Sequence, residues 1–575
     1  MNGDHYPTDV MQKLVALCKR RGFVFQSSDI YGGLKSAYDY GPLGVELKRN
    51  IMNAWWATMV NGRDDVVGID AAIIMKPDVW RASGHAAGFA DPLVDCLVSK
   101  ERFRADKAPR PAVGENLVLQ VGDGNRAIAY GEQIAQRFGV SLQRQGNDLH
   151  GLYVADAQTV GCRHDADFSY PYRGYVSPCI GSPFLSDERQ FNLMFRTALG
   201  AVDPMQDVAE VISSLTEADD LEAAVRERFA RQAQEGPLAD ALASGQRQRI
   251  MRAVIELVTG PAMCYLRPET AQAMFVQFRN VLDATGLKPP FGIAQMGKSF
   301  RNEITVEHFI FRSCEFEQME MEFFCPPGSQ GEWMTYWKQE RMTWWQRFAN
   351  HPDDFRLRQH EADELAHYAD ECYDVEYYYP WGWDELEGIA SRTDHDLHQH
   401  EEHAGVKLRY TDPDTVDPQT GKKPWSYRPF VIEPAAGATR AVLVYLLDAY
   451  HEETRTDAKG NPVVRTVLKL HPRLAPISCA VLPLVSNKEP FVVAARELHE
   501  ALLAAGLRSR CDTKGAIGKR YAKHDEIGTP LCLTIDGQSL EDGTVTIRDR
   551  DSTDQDRIAI ADAVAEVKRR IAGKS

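Results

Sequence analysis

Hydrophobic and polar residues follow a helical period in one part of the chain and a strand pattern in another. LKRNIMNAWWATMV, residues 47–60, repeats apolar side chains at helical spacing, and Pro42 and Gly44 suit the entrance of that helix. RNEITVEHFIFRSCEFEQMEMEFF, residues 301–324, is rich in strand formers but carries charges on both alternating faces. A sheet normally turns its charges to water, so this stretch predicts either the floor of a polar pocket or a solvated edge hairpin.

Changes in composition divide the chain into four predicted segments. Residues 1–104 and 261–472 mix helical patterns with strand-like runs, whereas 105–260 begins with spaced Pro and Gly and ends in acidic, helix-like sequence. We interpret 105–260 as an insertion with its own fold. Residues 473–575 alternate strands such as ISCAVLPLV with amphipathic helices such as FVVAARELHEALLAAG, which predicts an α/β domain with a mixed sheet.

Composition narrows the class of protein. The 575 residues include 66 Lys and Arg against 82 Asp and Glu, a net charge of -16, which argues against a protein that coats nucleic acid but leaves room for a local basic patch. The sequence contains no run of about eighteen apolar residues, so we expect no membrane-spanning helix. The opening MNGDHYPTDV lacks a secretory pattern, and the 11 scattered cysteines fit a reducing cytoplasm, so we expect a cytoplasmic protein.

The charged strand stretch offers the parts of a nucleotide site. Arg301 and Arg312 are fixed cations whose planar guanidinium groups suit phosphate. Phe316 presents a flat face on which a base can stack, and Glu303 and Glu315 can accept hydrogen bonds from an amine. The stretch can therefore bind a nucleotide and a cationic amine together.

Three motifs in order resemble the class II aminoacyl-tRNA synthetases. FRNE followed by Arg312, Phe316 and Glu320 resembles motif 2 of that class. YGPLGVELKRNIMNAWW is similar to motif 1, the helix that builds the dimer interface, and VIEPAAGATRAVLVYL is similar to motif 3, with Arg440 on a helix. The segments SGHAAGFADPLVDC, ERFRAD, RQFNLMF, LRPETAQ, ELEGIASRTDHDL and GKRYAKHDEIGTP resemble the homodimeric glycyl-tRNA synthetases.

The resemblance implies a fold and an activity. The fold is α+β: a six- to seven-stranded antiparallel sheet flanked by helices forms a catalytic domain from residues 1–104 and 261–472, interrupted by the insertion 105–260. An anticodon-binding domain at 473–575 follows. The activity is the joining of glycine to ATP, giving glycyl-adenylate and pyrophosphate, and transfer of glycine to the 3′ end of tRNA-Gly. The implied assembly is a homodimer that uses Mg²⁺.

The resemblance also implies which residues bind ATP. Arg301 holds the α-phosphate, Phe316 stacks under adenine, and Arg440 covers the other face or reaches the γ-phosphate. Glu303 lies near the adenine amine or the tRNA end, and Glu385 is a ligand of Mg²⁺. The complete implied ATP set is Arg301, Asn302, Glu303, Phe311, Arg312, Ser313, Cys314, Glu315, Phe316, Glu385, Leu386, Gly437, Ala438, Thr439 and Arg440.

Glycine recognition is implied at an acidic pocket with no room for a side chain. Glu269, Glu315 and Glu433 match the acidic residues of the family, and Arg104 matches a substrate-binding position. A packed wall resists overfilling, so glycine is selected mainly by exclusion. The complete implied glycine set is Arg104, Glu269, Glu315, Phe316, Glu317, Gln318, Met319, Glu433, Pro434, Ala435, Ala436 and Gly437.

The chain departs from the family pattern at three positions. Ala435 stands where relatives usually have serine, so one hydroxyl near glycine is missing. The paired cysteines of many relatives are reduced here to Cys96-Leu97-Val98-Ser99 and Ser177-Pro178-Cys179. Because a structural zinc needs four ligands, we predict no structural zinc.

Other patterns leave alternatives open. His395, His398, His400 and His403 can bind metal on a helix face, but the family places an ordinary helix there, and we favour one that faces solvent.

The basic residues of TKGAIGKRYAKHDEIG suit contact with the anticodon stem, or else form a solvated basic loop; they are Lys514, Lys519, Arg520 and Lys523. The competing functions are a tRNA-binding relative without catalysis and a class II ligase for serine, alanine, threonine or proline. The retained Arg301, Arg312 and Arg440 favour catalysis.

Overall fold

The computed structural model describes residues 6–199, 204–218, 220–260, 263–304, 306–362, 364–366, 369–456 and 461–573. They form two compact units. The first unit contains residues 1–83, 266–300 and 307–575, and the second contains 84–265 together with 301–306. The segment 105–260, interpreted above as an insertion, lies inside the second unit.

A seven-stranded sheet is the centre of the first unit. Its strands are Val66–Gly68 (β1), Phe291–Phe300 (β2), Glu315–Cys325 (β3), Phe355–Gln359 (β4), Glu371–Tyr379 (β5), Gly382–Thr393 (β6) and Phe430–Gly437 (β7). They lie in the order β4-β5-β6-β7-β3-β2-β1, and each neighbouring pair is antiparallel apart from β1 with β2. The predicted antiparallel sheet is confirmed.

Five helices surround this sheet. They are Gly44–Trp56 (α1), Ala271–Thr285 (α2), Gln330–Gln346 (α3), His395–Ala404 (α4) and Ala438–Ala449 (α5). The helix predicted around residues 47–60 is confirmed as α1, which buries Leu47, Ile51 and Trp55 at four-residue spacing. Helices α3 and α5 pack on one face of the sheet, and α1 packs on α5.

Strand alternation explains the mixed pattern of residues 315–324. Met319, Met321 and Phe323 point into the apolar core formed with α1, α3 and α5. The intervening residues Glu320 and Glu322 point to the opposite face and are also buried. Both faces of β3 are therefore covered, one by an apolar core and the other by a polar site.

Helices α2 and α4 cover one end of the polar face. Phe275 and Phe278 of α2 pack with Phe291 and Phe324 of the sheet and with Leu397 of α4. The predicted helix of histidines is confirmed as α4, but the prediction that it faces solvent is wrong in part. His400 is buried, and its ring nitrogen Nε2 lies 2.8 Å from Oε1 of Gln272 in α2.

A second, mixed sheet forms the C-terminal part of the first unit. Its strands are Cys479–Pro483 (β8), Ser509–Cys511 (β9), Leu531–Ile535 (β10), Thr544–Asp549 (β11) and Gln555–Ala559 (β12). Their order is β9-β8-β10-β11-β12, with the first three parallel and the rest antiparallel, as predicted for an α/β domain with a mixed sheet. Its helices are Glu489–Ala504 (α6), Ile517–Glu526 (α7), Gly537–Asp542 (α8) and Ala563–Ala572 (α9).

Smaller elements complete the first unit. The remaining α-helices are Val10–Arg21 and Pro77–Ala82, and short 3₁₀ or π segments lie at Asp29–Tyr31, Ala57–Asn61, Phe309–Phe311, Pro352–Asp354 and Ile560–Asp562. The remaining strands are Val24–Gln26, Tyr38–Tyr40, Ile74–Met75, Tyr410–Asp412, Trp425–Tyr427, Tyr450–Thr456 and Pro462–Leu468. Among the described residues, no helix combines the length and apolar character needed to cross a bilayer.

The second unit combines small sheets with a helical cluster. Its strands are Ala90–Asp95, Arg102–Arg104, Asn116–Gln120, Gln143–Gln145, Asp148–Asp156, Thr159–Cys162, Asp165–Pro171, Arg189–Asn192, Arg196–Ala198 and Met263–Leu266, the last of which ends in the first unit. Its helices are His85–Gly88, Gly124–Phe138, Pro204–Thr216, Leu221–Arg228, Pro237–Ala243 and Arg247–Thr259. The helices from 204 to 259 share their own apolar core around Val225 and Ile250.

Candidate active site

The polar face of the seven-stranded sheet has small residues at its centre. One row across the strands runs from Gln295 through Glu320, Ala435 and Gly388 to Asp374. Ala435 and Gly388 remain partly exposed between the buried carboxylates at either side. This row therefore forms a shallow floor with acidic groups at its margins.

Four carboxylates lie beside this floor, and three of them pair with one guanidinium group. Arg392 is 1% exposed and forms an ion pair with Glu433. Its nitrogens also lie 2.8 Å from Asp396 and 3.8 Å from Glu269. Glu320 is close enough that its charge, like that of Glu269, raises the pKa of Glu433. The acidic charge of the cluster exceeds the charge that Arg392 supplies.

Hydrogen bonds from neighbouring residues hold the carboxylates in place. Gln272 donates through Nε2 to Glu269 at 3.0 Å and to Asp396 at 2.8 Å. Glu320 accepts from the backbone N–H of Thr270 at 2.9 Å and from the Thr270 hydroxyl. Because these contacts come from the protein itself, they hold the acidic groups in a fixed arrangement.

Burial disfavours the charged form of Glu433 and of Glu322, whose pKa the charge of Glu433 also raises. Burial, with the charges of Glu320 and Glu269 adding to it and Arg392 opposing it, raises the pKa of Glu433 to about 8. Burial also raises the pKa of Glu322 well above its usual range. Among the described residues, neither carboxylate oxygen of Glu322 has a hydrogen-bond partner. A small cation would stabilise this cluster, so its chemistry suits an ammonium group.

Arg440, Glu385 and Phe311 meet at a second position on the same face. The Arg440 guanidinium carbon lies 4.4 Å from the centre of the Phe311 ring. Its Nη1 lies 3.2 Å from the Glu385 carboxylate and donates to the Glu385 carbonyl at 3.0 Å. A cation above an aromatic ring, beside an exposed carboxylate, is an arrangement suited to a nucleotide.

A bulge in β6 determines which glutamate reaches this face. Glu385 is opposite Glu376 in β5, whereas the register shifts so that Glu387 is opposite Val375. The Glu387 side chain turns into the core and accepts a hydrogen bond from Arg341 at 2.8 Å. Glu385 thus stays on the polar face with a half-exposed carboxylate.

Not all residues of the predicted sets face the polar site. Gln318, Glu433, Ala435 and Gly437 alternate onto the polar face, and Phe316 is opposite Ser299 on that face. Thr439 lies at the start of α5, where its hydroxyl accepts from the Glu317 N–H at 3.2 Å. The predicted residues that face the helices instead are Glu317, Met319, Leu386, Pro434, Ala436 and Ala438.

Glu315 does not lie with the acidic cluster. Its carboxylate is exposed and forms an ion pair with Lys298 at the far end of β3. Ser313 and Cys314 hold the chain before this strand, since the Ser313 hydroxyl donates to the Glu315 carbonyl at 2.9 Å and the Cys314 N–H donates to Ser36 at 2.8 Å. The structure places Glu320, rather than Glu315, with Glu269 and Glu433.

Four predicted residues belong to the second unit. Arg104 forms ion pairs with Asp91 at 2.8 Å and Asp106 at 2.7 Å. The charge of Glu303 adds to these in raising the pKa of Arg104. Nearby in the same unit, the Arg301 guanidinium lies 5.5 Å from the centre of the Phe89 ring, and the Asn302 N–H donates to a backbone carbonyl at 2.8 Å. Their roles toward ATP and glycine stay predictions.

Sequence reasoning missed several members of the acidic cluster. The sequence predicts no role for Arg392, Asp396 or Gln272. Glu320 enters the prediction only through its spacing from Phe316 in motif 2. One signal was available: Glu320 and Glu322 are two and four residues beyond Gln318, so strand alternation puts all three on one face. Nothing local in the sequence connects Arg392 with Glu269, since 123 positions separate them.

The four predicted tRNA-binding residues differ in their surroundings. Lys514 lies in the loop before helix α7, whereas Lys519, Arg520 and Lys523 lie on the helix, so the loop interpretation holds for Lys514 alone. Lys514 and Lys519 are exposed, and Lys523 pairs with Asp512 at 2.7 Å. Arg520 is 1% exposed and donates to backbone carbonyls at 2.7 and 3.0 Å. The Arg520 guanidinium group therefore stabilises the fold through hydrogen bonds within the protein.

The positions of the incomplete cysteine pairs lie in the second unit. The Cys96 sulfur is buried and accepts a hydrogen bond from the Ser99 N–H at 3.4 Å, while Cys179 is exposed. Two thiols with serine at Ser99 and Ser177 make a weaker set of zinc ligands than four thiolates. The absence of a structural zinc at these cysteine positions stays a prediction.

Comparison with known proteins places this geometry in a class. Residues 478–570 match the family model described as "Anticodon binding domain". An antiparallel sheet with a polar, acidic face, followed by such a domain, is the arrangement of a class II aminoacyl-tRNA synthetase.

Relatives over the full length narrow the class. The chain is 40% identical to the "Glycine--tRNA ligase" of Treponema denticola over 98% of this chain and 97% of the relative. It is 40% identical to the protein of the same name from Geobacillus thermodenitrificans over 100% of both chains. A third relative of that name, from Cutibacterium acnes, is 41% identical over 96% of this chain and 94% of its own. The chain belongs to the glycine–tRNA ligase family.

Proposed function

We propose that the protein is a glycine–tRNA ligase, which activates glycine with ATP and transfers it to the 3′ end of tRNA-Gly. The observation that carries this proposal is the acidic cluster beside the floor of small residues, in which Glu269, Asp396 and Glu433 pair with Arg392 and the charge of Glu320 acts on Glu433. The printed names of the relatives support it.

The acidic cluster binds the glycine ammonium group. Ionised carboxylates accept hydrogen bonds from the ammonium, which supplies the positive charge that the cluster lacks. A larger amino acid has to place its side chain against groups that Gln272 and Arg392 hold rigidly. Because a packed wall resists overfilling, selection for glycine rests mainly on exclusion.

Activation needs positioned charge more than acid–base catalysis. A glycine carboxylate oxygen attacks the α-phosphorus; a new O–P bond forms, and the bond to the bridging oxygen breaks as pyrophosphate leaves. The carboxylate is already a nucleophile, so no general base is required. Phe316 and Arg440 hold the adenine or the phosphates, and Arg301 stabilises charge at the α-phosphate, as the sequence resemblance implies.

Glu385 fits the role of a Mg²⁺ ligand. Its carboxylate is half-exposed on the polar face, and magnesium prefers oxygen ligands that it shares with substrate phosphates. When bound, Mg²⁺ neutralises negative charge on the phosphates.

Transfer to tRNA completes the reaction. A hydroxyl of the terminal ribose attacks the glycyl carbonyl carbon, an ester bond forms, the bond to AMP breaks, and the hydroxyl proton passes to the leaving phosphate of AMP or to solvent. We assign residues 1–104 and 261–472 to the catalytic domain, 105–260 to an insertion and 473–575 to the domain that contacts the anticodon stem. Within that last domain the exposed Lys514 and Lys519 supply positive charge for tRNA.

Because charging of tRNA serves translation, we place the protein in the cytoplasm.

We further propose that the active form is a homodimer. The short turn Asp29–Tyr31 exposes two large apolar side chains, Ile30 and Tyr31, each 88% accessible, with Leu34 beside them. An exposed apolar group of this kind suits an interface with a second copy. Light scattering on the purified protein should give twice the mass of one chain, and Ile30→Asp combined with Tyr31→Asp should reduce it to that of one chain. An unchanged mass would place the interface elsewhere.

Amino-acid-dependent exchange of pyrophosphate into ATP tests the ligase proposal. All twenty amino acids are compared, and glycine alone should support exchange. Glu433→Gln should abolish most of it, whereas Glu402→Gln, an exposed change on α4, should leave it unaltered. Exchange with serine, alanine, threonine or proline would indicate a different ligase. No exchange by correctly folded protein would indicate a tRNA-binding relative without catalysis.

A further inference from the structure

Three side chains that the proposed reaction does not use meet at the edge of the seven-stranded sheet. His360 directly follows β4, and Cys372 and Asp374 are alternate residues of β5. One ligand atom from each, nitrogen, sulfur and oxygen, lies within 4.8 Å of the others. The strand ends are held together because the His360 N–H donates to the Cys372 carbonyl at 3.0 Å.

The composition of this cluster favours one class of metal ion. Imidazole nitrogen, thiolate sulfur and a carboxylate oxygen are the usual ligands of Zn²⁺ and similar ions, whereas Mg²⁺ and Ca²⁺ prefer oxygen alone. His360 Nε2 and Asp374 Oδ2 are 2.7 Å apart, so the ring and the carboxylate already point toward each other.

The local charge also favours a cation. Asp374 is buried, and burial followed by the charge of Glu385 raises its pKa to about 6. His360 and, after it, Arg358 oppose this rise in the pKa of Asp374; Arg358 lies 3.5 Å from Asp374 and is shared with Glu376 at 3.0 Å. Adding a positive ion next to Asp374 would stabilise its ionised form.

We propose that His360, Cys372 and Asp374 bind a thiophilic divalent cation of the Zn²⁺ class, with the fourth position taken by water. A cysteine thiol is ordinarily protonated at neutral pH. Binding forms a metal–sulfur bond and releases the thiol proton to solvent.

This site shares a sheet row with the acidic cluster. Cys372 is paired with Ala390, and Ala390 with Glu433. Two strand spacings amount to roughly 10 Å, so the two sites are separate but on the same face. The charges that act on the thiol are those of Asp374, Glu433, Glu385 and Arg358, and the ring nitrogen of His360 lies within 4.8 Å.

Cobalt titration of the full-length protein, freed of metal by a chelator, tests the proposal. Co²⁺ should bind with one equivalent, produce a thiolate-to-cobalt charge-transfer band and release about one proton per ion. Zn²⁺ should displace it. Cys372→Ser should remove the band, and His360→Ala and Asp374→Asn should each weaken binding at least tenfold. Cys179→Ser, an exposed thiol, and Cys511→Ser, a half-buried one, should keep the band.

Any of three results would overturn the proposal. The first is the absence of a charge-transfer band in the parent protein. The second is a band that survives Cys372→Ser, and the third is an affinity that His360→Ala leaves unchanged, each in a variant whose thermal unfolding matches that of the parent. Because the readout is metal binding, it is independent of the ligase assay.

Discussion

Replacing Glu320 by glutamine separates the charge of the acidic cluster from its packing. In the present structure one oxygen of Glu320 accepts from the backbone and hydroxyl of Thr270, and the other accepts from Nε2 of Gln318. The Gln318 amide oxygen is buried without a hydrogen-bond partner among the described residues. In Glu320→Gln, rotation of the Gln318 amide offers that oxygen to the new N–H₂ group, so the hydrogen bonds can be retained and only the charge is lost.

The expected loss in glycine activation follows from that charge. A hydrogen bond to a charged group contributes about 1.5–3 kcal/mol. Losing one to the glycine ammonium should lower kcat/KM for glycine roughly 10- to 150-fold in pyrophosphate exchange. The same change removes a negative charge that raises the pKa of Glu433, so the thermal midpoint should stay the same or rise.

Two outcomes would refute this reasoning. A fall in kcat/KM below about threefold would show that Glu320 does not hold the ammonium group, given the contribution expected of a charged hydrogen bond. A lower thermal midpoint would show that packing was disturbed. Glu315→Gln provides the comparison, because Glu315 is exposed and paired with Lys298. A larger effect at Glu315 than at Glu320 would favour the assignment made from sequence.

Further predictions concern pH, specificity and stability. The pKa of Glu433 is raised from 4.5 to about 8, so kcat/KM for glycine should rise up to pH 8. The thermal midpoint should fall between pH 5 and 8, because over that range the folded protein binds a proton that the unfolded chain has lost. Glu433→Gln should flatten both profiles. Ala435→Ser should lower the glycine KM about 2- to 10-fold through one added hydrogen bond, and an unchanged KM would exclude that contact. Arg301→Ala should lower kcat for exchange by about 10²–10³, measured at saturating glycine and ATP. Arg341→Met leaves the Glu387 carboxylate buried, at 0% exposure, without its guanidinium partner, and should cost about 3–5 kcal/mol in urea unfolding; adding Glu387→Gln should recover part of the loss.

Much of the fold could be predicted because it depends on local patterns. Helix α1 and the strands and long helices of the C-terminal mixed sheet lie where periodicity placed them. The histidine helix α4 was predicted, but its burial was not, since the pairing of His400 with Gln272 joins residues 128 positions apart. Similarly, Arg520 looked like a surface cation until the carbonyl groups around it were known.

Three features of the sequence are enough to predict the class of chemistry: strands that carry charges on both faces, a set of arginines in order, and a family resemblance over nearly the whole chain. Which acids lie in one cluster depends on the tertiary structure. Strand register and the bulge in β6 select Glu320 over Glu315 and Glu385 over Glu387 for the polar face. Register is a long-range property, because a shift of one residue moves every side chain to the other face, and it is set by pairing with strands far away in the chain.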